Sequence, residues 1–146
     1  MYCKNILLVE DNPSDADLSR RALEKCNIEG KLIVKDDGDE AIKYLFEECG
    51  KPDCDKLPSL ILLDLNLPGT SGMEILRMVR DNKTTSRIPV VILTTSSEEL
   101  DGENSYNLGA NAYIRKPVDS ERFLVALNYL GLSWLLAAEA PKQFYF

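Results

Sequence analysis

Residues 62–69 read LLDLNLPG, and the apolar approach to this stretch decides what kind of sheet the chain can build. Leu60, Ile61, Leu62 and Leu63 do not alternate with polar residues, as a strand with one wet face would. Such a run suits a strand covered on both faces, the condition of strands in a parallel sheet with helices on each side. The run ends on a single carboxylate, Asp64, and then on the turn signal Pro68-Gly69.

Working outward, the run at 59–63 is one of five, with others at 5–9, 31–35, 89–93 and 112–115. Helical spacing separates them. After Asn12-Pro13, the residues Ala16, Leu18, Ala22, Leu23 and Cys26 predict one apolar helix face over 13–26, with Asn27 and Gly30 as stop signals. A second helix follows Asp37-Gly38 with Ala41, Ile42, Leu45 and Phe46 inward, and a third opens at Ser71-Gly72 with Ile75, Leu76 and Val79. A fourth is expected over 97–107. The fifth begins at Asp119 or Ser120 as N-cap and turns Phe123, Leu124, Leu127 and Leu130 inward. Residues 48–58, rich in Gly, Pro and Asp, read as a surface loop. Strand and helix alternate throughout, so short right-handed crossovers predict an α/β fold: a doubly wound, five-stranded parallel sheet of order 2-1-3-4-5.

The totals fix the surroundings of that fold. A chain of 146 residues is one domain by size. With 17 basic and 24 acidic residues the net charge is −7, which disfavours nucleic acid and anionic membrane as partners. No apolar run approaches the roughly 18 residues of a membrane span, and no signal-peptide core is present, so a cytoplasmic location is expected. Cys3, Cys26, Cys49 and Cys54 form no C-x-x-C pair and the chain holds no His, which makes reduced structural thiols the better reading than zinc or disulfide.

In a sheet of this kind ligands gather at the carboxyl ends of the strands. Those ends carry Glu10-Asp11, Asp64, Thr94-Thr95 and Lys116-Pro117. Carboxylates about 5 Å apart repel by roughly 3 kcal/mol per pair at an effective dielectric of about 20, so positive charge is required. Lys116 supplies one charge, and hard carboxylate oxygens suit Mg²⁺, with Mn²⁺ as the alternative ion. A carboxylate set beside a divalent cation, a lysine and a hydroxyl has the parts for accepting a phosphoryl group, with Asp64 as nucleophile and Glu10 and Asp11 as metal holders.

The segments VEDNPSD (9–15), LLDLNLPGTSG (62–72), IPVVILTTS (88–96) and GANAYIRKPVD (109–119), in this order and spacing, resemble the receiver domain of two-component response regulators over residues 5 to about 130. The resemblance implies a flavodoxin-like (βα)5 fold, with Asp64 as phosphoacceptor and Asp11 as a direct Mg²⁺ ligand. It makes Glu10 the acid that holds metal-bound water and Asn66 the residue whose backbone carbonyl meets the metal. It further implies Thr94 as the switch hydroxyl, Tyr113 as the aromatic that moves with it, and Lys116 as the lysine that pairs with phosphate, ahead of a cis bond to Pro117. A sensor histidine kinase supplies the phosphoryl group in this family, and the receiver catalyses its own loading and unloading without turning over a conventional substrate. Thr95 stands where a smaller residue is usual. Asn66 and Ser96 occupy positions that tune phosphate loss.

Beyond a receiver of residues 1–131, the segment 132–146 departs from minimal receivers. Leu132, Trp134, Leu135 and Leu136 prolong the apolar pattern of the last helix, and Pro141 precedes Phe144-Tyr145-Phe146. The long loop and extended helix resemble the single-domain regulators of phytochrome-type histidine kinases, without a DNA-binding output segment. Leu132, Trp134, Leu135, Phe144 and Phe146 are expected to contact a partner or a second copy in a homodimer, the competing reading being a tail folded back on its own domain. Two rival functions share the scaffold. A haloacid-dehalogenase-type phosphatase or phosphotransferase needs an acid two residues after the nucleophile, where Asn66 stands. A flavin carrier needs a phosphate cradle where Glu10 and Asp11 stand.

Overall fold

The computed structural model describes residues 4–48, 57–94 and 109–136. The helix expected over 97–107, most of the loop at 48–58, Thr95, Ser96, Phe144, Phe146 and all cysteines except Cys26 lie outside the described residues.

Five parallel strands, β1 (Ile6–Val9), β2 (Leu32–Lys35), β3 (Leu60–Asp64), β4 (Val90–Thr94) and β5 (Ala112–Arg115), form one sheet of order β2-β1-β3-β4-β5. The described helices are α1 (Pro13–Lys25), α2 (Gly38–Ile42), α3 (Gly72–Asp81) and α4 (Ser120–Tyr129). Successive strand residues point to opposite sides, and in the central strands both sides are dry. Ile6, Leu8, Leu60, Leu62, Val91 and Leu93 pack with α1 and α4 in one core layer. Leu7, Val9, Ile61, Leu63, Val90 and Ile92 pack with α2 and α3 in the other. The absence of polar alternation in the sequence is thus the signature of a sheet with two cores.

Each helix starts beyond the carboxyl end of a strand on a side-chain cap. Asn12 Oδ1 accepts from the N–H groups of Ser14 and Asp15, Asp37 from Glu40, Ser71 Oγ from Glu74, and Asp119 from Arg122. These caps satisfy otherwise orphaned helix donors and aim every first turn at the same rim.

Three details differ from the sequence expectation. Leu18 is 44% exposed while Ser19 is buried, because the inward stripe of α1 runs through Ser19, Ala22 and Leu23. After Ile42 the backbone widens into a π-helical stretch, Lys43–Glu48. There Tyr44 and Leu45 are buried with Ala41, three and four residues before them, while Ile42 and Phe46 are only half-buried, so the inward stripe runs through 41, 44 and 45. Burial pushes the free Cys26 thiol up, and its Sγ donates to the Ser120 carbonyl at 3.4 Å.

The third difference concerns the chain after α4. That helix stops at Tyr129, the backbone reverses at Gly131 with φ of 70°, and a short 3-10 turn follows at Ser133–Leu135. A left-handed residue just past a helix is the usual way to end it, and glycine takes that conformation without a Cβ penalty. The segment then lies across the region after α1: Glu29 N–H donates to Leu135 O at 2.9 Å and Ile28 bridges Leu136 antiparallel. Leu132 and Leu135 are 6% and 0% exposed inside the α1–α4 core layer. They are therefore core residues and not free contact surface, a correction to the expectation of an extended helix presenting them. Trp134 remains 40% exposed.

This fold-back makes Leu135→Ala costly, about 2–4 kcal/mol in a urea unfolding measurement, through lost burial and the cavity left behind. Trp134→Phe, which keeps an aromatic ring at this partly exposed position, should cost less than about 1 kcal/mol. Equal, small effects at both positions would contradict the placement of the tail.

Candidate functional site

Strand register assembles the site. Val9 pairs with Leu63, so Glu10 and Asp64 emerge side by side where β1 and β3 end. Asp64 pairs with Leu93 and Thr94 with Arg115, which puts Thr94 and Lys116 on the same rim. The Lys116 N–H donates to the Thr94 carbonyl at 2.8 Å, fixing the backbone from which the lysine departs. The Lys116–Pro117 peptide is cis.

At the centre, Lys116 Nζ donates to Asp64 Oδ2 at 2.7 Å, forms an ion pair with Glu10, and reaches Asp15 Oδ2 at 3.4 Å. The other Asp64 oxygen, Oδ1, accepts from the Asn66 N–H at 3.0 Å. The Asn12 N–H lies 3.4 Å from Glu10 Oε2. Glu10, Asp64 and Thr94 are buried, whereas Asp11 is exposed at the mouth.

The loop that follows Asp64 is held by close backbone approach. A Cβ on Gly72 would meet the Asp64 carbonyl at 2.3 Å, and one on Gly38 would meet the Thr70 carbonyl at 1.9 Å. Only glycine allows α3 to start against the strand end and α2 to start against the loop. Thr70 Oγ1 donates to Asp39 at 2.6 Å and the Gly38 N–H to the Pro68 carbonyl at 3.2 Å, completing the clamp.

Charge is the unbalanced quantity here. Burial, then the neighbouring Asp64 carboxyl, raise the Glu10 carboxyl from 4.5 to about 7, although Lys116 pulls the other way. Burial works against the Lys116 charge, but its hydrogen bonds to Asp64 and Glu10 and their charges together outweigh burial and push the ammonium up. One lysine faces four carboxylates, those of Glu10, Asp64, Asp15 and nearby Asp11. Carboxylate oxygens of Glu10, Asp11 and Asp64 lie within 4.8 Å of one another, an all-oxygen donor set that fits a divalent cation.

A dense acid cluster answered by one lysine, at the carboxyl ends of a 2-1-3-4-5 parallel sheet, defines a phosphoryl-accepting signalling module. The response regulator receiver domain family matches residues 6–128, and the chain belongs to that family. It is similar to the response regulator Rcp1 of Synechocystis sp. (strain ATCC 27184 / PCC 6803 / Kazusa), with 38% identity over 138 residues, covering 94% of this chain and 93% of that protein. Among solved structures, the bacteriophytochrome response regulator AtBRR superposes with a TM-score of 0.81 at 42% identity, covering 95% of this chain and 100% of that one. The Mn²⁺-bound form of Rcp1 superposes with a TM-score of 0.70 at 38% identity, covering 94% and 98%. The dehalogenase-type alternative finds no support: the family is a receiver family, and Asn66 occupies the place its general acid would need.

Of the residues singled out in the sequence, Glu10, Asp11, Asp64 and Lys116 converge, with Asn66 touching Asp64 through its backbone and Thr94 buried at the end of β4. Tyr113 is half-buried on β5, beside a groove also lined by Arg115, Arg122, Val125 and Tyr129. Asp15 was not singled out. Its signal is the acid in the first turn of α1, three residues past the helix cap Asn12 that follows Glu10-Asp11.

A cation held by the cluster needs Glu10 deprotonated, and the metal-free carboxyl releases its proton only near pH 7. Affinity for Mn²⁺ or Mg²⁺, measured by calorimetry, should therefore rise from about pH 6 to about pH 8, with proton release at the lower pH. Glu10→Gln should flatten that dependence. A wild-type affinity constant over this window would contradict the assignment.

Proposed function

We propose that Asp64 accepts a phosphoryl group from the phosphohistidine of a sensor histidine kinase in a Mg²⁺-dependent reaction, and that the aspartyl phosphate changes the protein contacts this chain makes. The observation that carries the reading is the Lys116 ammonium bound to Asp64 inside the acid cluster, at 2.7 Å.

In the transfer, an Asp64 oxygen forms a bond to phosphorus as the phosphorus–nitrogen bond of phosphohistidine breaks, and the electron pair remains on the imidazole. Lys116 is placed to follow the charge from the Asp64 oxygen to the phosphoryl oxygens, the Asn66 N–H orients the carboxylate, and the Thr94 hydroxyl binds a phosphoryl oxygen. When bound, Mg²⁺ neutralises charge on the transferring group. Asp11, Asp64 and the Asn66 carbonyl would hold it directly, and Glu10 through a water. The Mn²⁺-bound relative supports Mn²⁺ as a substitute. The same groups later assist hydrolysis of the aspartyl phosphate, so loading and unloading share one site.

A phosphoryl group adds about 1.5–2 negative charges next to Thr94. Thr94 and Tyr113 respond together and alter the face of β5 and α4, where Val125 and Tyr129 are 67% and 81% exposed. Similarity to a bacteriophytochrome response regulator supports a phytochrome-type kinase as donor, and membership of a receiver family fits a cytoplasmic setting. A homodimer would use this exposed face with Trp134 and the terminal aromatics Phe144 and Phe146, leaving Leu132 and Leu135 in the core. The net charge of −7 argues against nucleic acid as partner.

Incubation with acetyl phosphate and Mg²⁺ should place one acid-stable, base-labile phosphoryl group on the wild type, none with chelator and none on Asp64→Asn. Labelling that survives in Asp64→Asn would remove the assignment. Light scattering at tens of micromolar should show a dimer; a monomer with and without a phosphoryl mimic would exclude it.

A further inference from the structure

Lys116 is shared more widely than the phosphoryl chemistry requires. Its inner contacts, Glu10 and Asp64, are buried, with side chains 0% and 7% exposed. Its outer contact, Asp15, is 33% exposed and lies 3.4 Å away on the first turn of α1. That turn is rigidly placed: Pro13 opens the helix and Asn12 Oδ1 accepts the Asp15 N–H at 3.1 Å. Lys116 and Asp15 also share the wall of a small cleft with Leu18, Ser19, Pro117 and Val118. The Asp15 carboxylate is therefore the more exposed partner of the ammonium and meets it from α1, an element separate from the β5 end that carries the lysine.

We infer that Asp15 is a positioning residue that restrains Lys116 and selects against small dianionic phosphoryl donors. It acts in two ways with the same sign. Its carboxylate competes with incoming phosphoryl oxygens for the lysine, and its charge repels a free dianion that approaches Lys116. A phosphohistidine presented by a docked protein is brought in by contacts elsewhere and escapes much of this penalty. The inference rests on Asp64 being the phosphoacceptor.

Acetyl phosphate labelling of wild type, Asp15→Asn and Asp15→Glu, at saturating Mg²⁺ and at low and high salt, tests it. Asp15→Asn should load about three- to tenfold faster than wild type at low ionic strength, and the gain should shrink at high salt as the charge is screened. Asp15→Glu should stay near the wild-type rate. A rate in Asp15→Asn within twofold of wild type, a loss of rate, or a gain indifferent to salt would overturn the role of Asp15 while leaving Asp64 intact. Failure of the wild type itself to label would instead overturn the phosphoacceptor assignment on which the inference stands.

Discussion

The ammonium of Lys116 is the interaction on which this molecule depends. Two buried carboxylates, Glu10 and Asp64, leave adjacent strands side by side, where burial and the neighbouring Asp64 push the Glu10 carboxyl up to about 7 and Lys116 offsets part of that cost. Lys116 reaches both from β5, across the ends of β3 and β4. The charge it supplies is insufficient for the acids around it, and the cluster is an all-oxygen donor set compatible with a divalent cation. A buried ion pair of this kind is poor evidence of stability, because desolvation offsets much of its attraction. Its value here is geometric: it holds Asp64, the proposed phosphoacceptor, and Lys116 in one arrangement.

The scaffold keeps that geometry by tight backbone packing. Gly72 lets α3 begin against the carbonyl of Asp64, and Gly38 lets α2 begin against Thr70, so the loop carrying Asn66 is pressed between two helix starts. On the opposite end of the sheet, Arg80 on α3 donates to the carbonyls of Gly109, Ser86 and Ile88 and to Asn111 Oδ1, tying the entries of β4 and β5 together. One rim is thus fixed for structure while the other concentrates charge.

The central features were legible in the sequence because each has a local cause. Unbroken apolar runs announced strands with two dry faces, and Asn12, Asp37, Ser71 and Asp119 announced helix starts through their capping chemistry. Polar residues after apolar runs announced the rim. Features that depend on distant packing were not legible. Packing selects Ala41, Tyr44 and Leu45 as the buried stripe over Ile42 and Phe46, a choice that the tyrosine's polar hydroxyl hides in the sequence. Leu132 and Leu135 look like exposed continuation of a helix until Gly131 turns them inward under α1.

The sequence by itself determined the fold class, the order of its elements and the identity of the acids, the lysine and the hydroxyl at the strand ends, because pattern, capping and residue chemistry are local properties. Tertiary structure decided how those groups share charge: which carboxylates Lys116 touches, that Asp15 joins them from a neighbouring helix, and that the tail closes a core. Those outcomes depend on strand register and on the approach of elements far apart in the chain, where one residue of slip turns a side chain from the site to the opposite face.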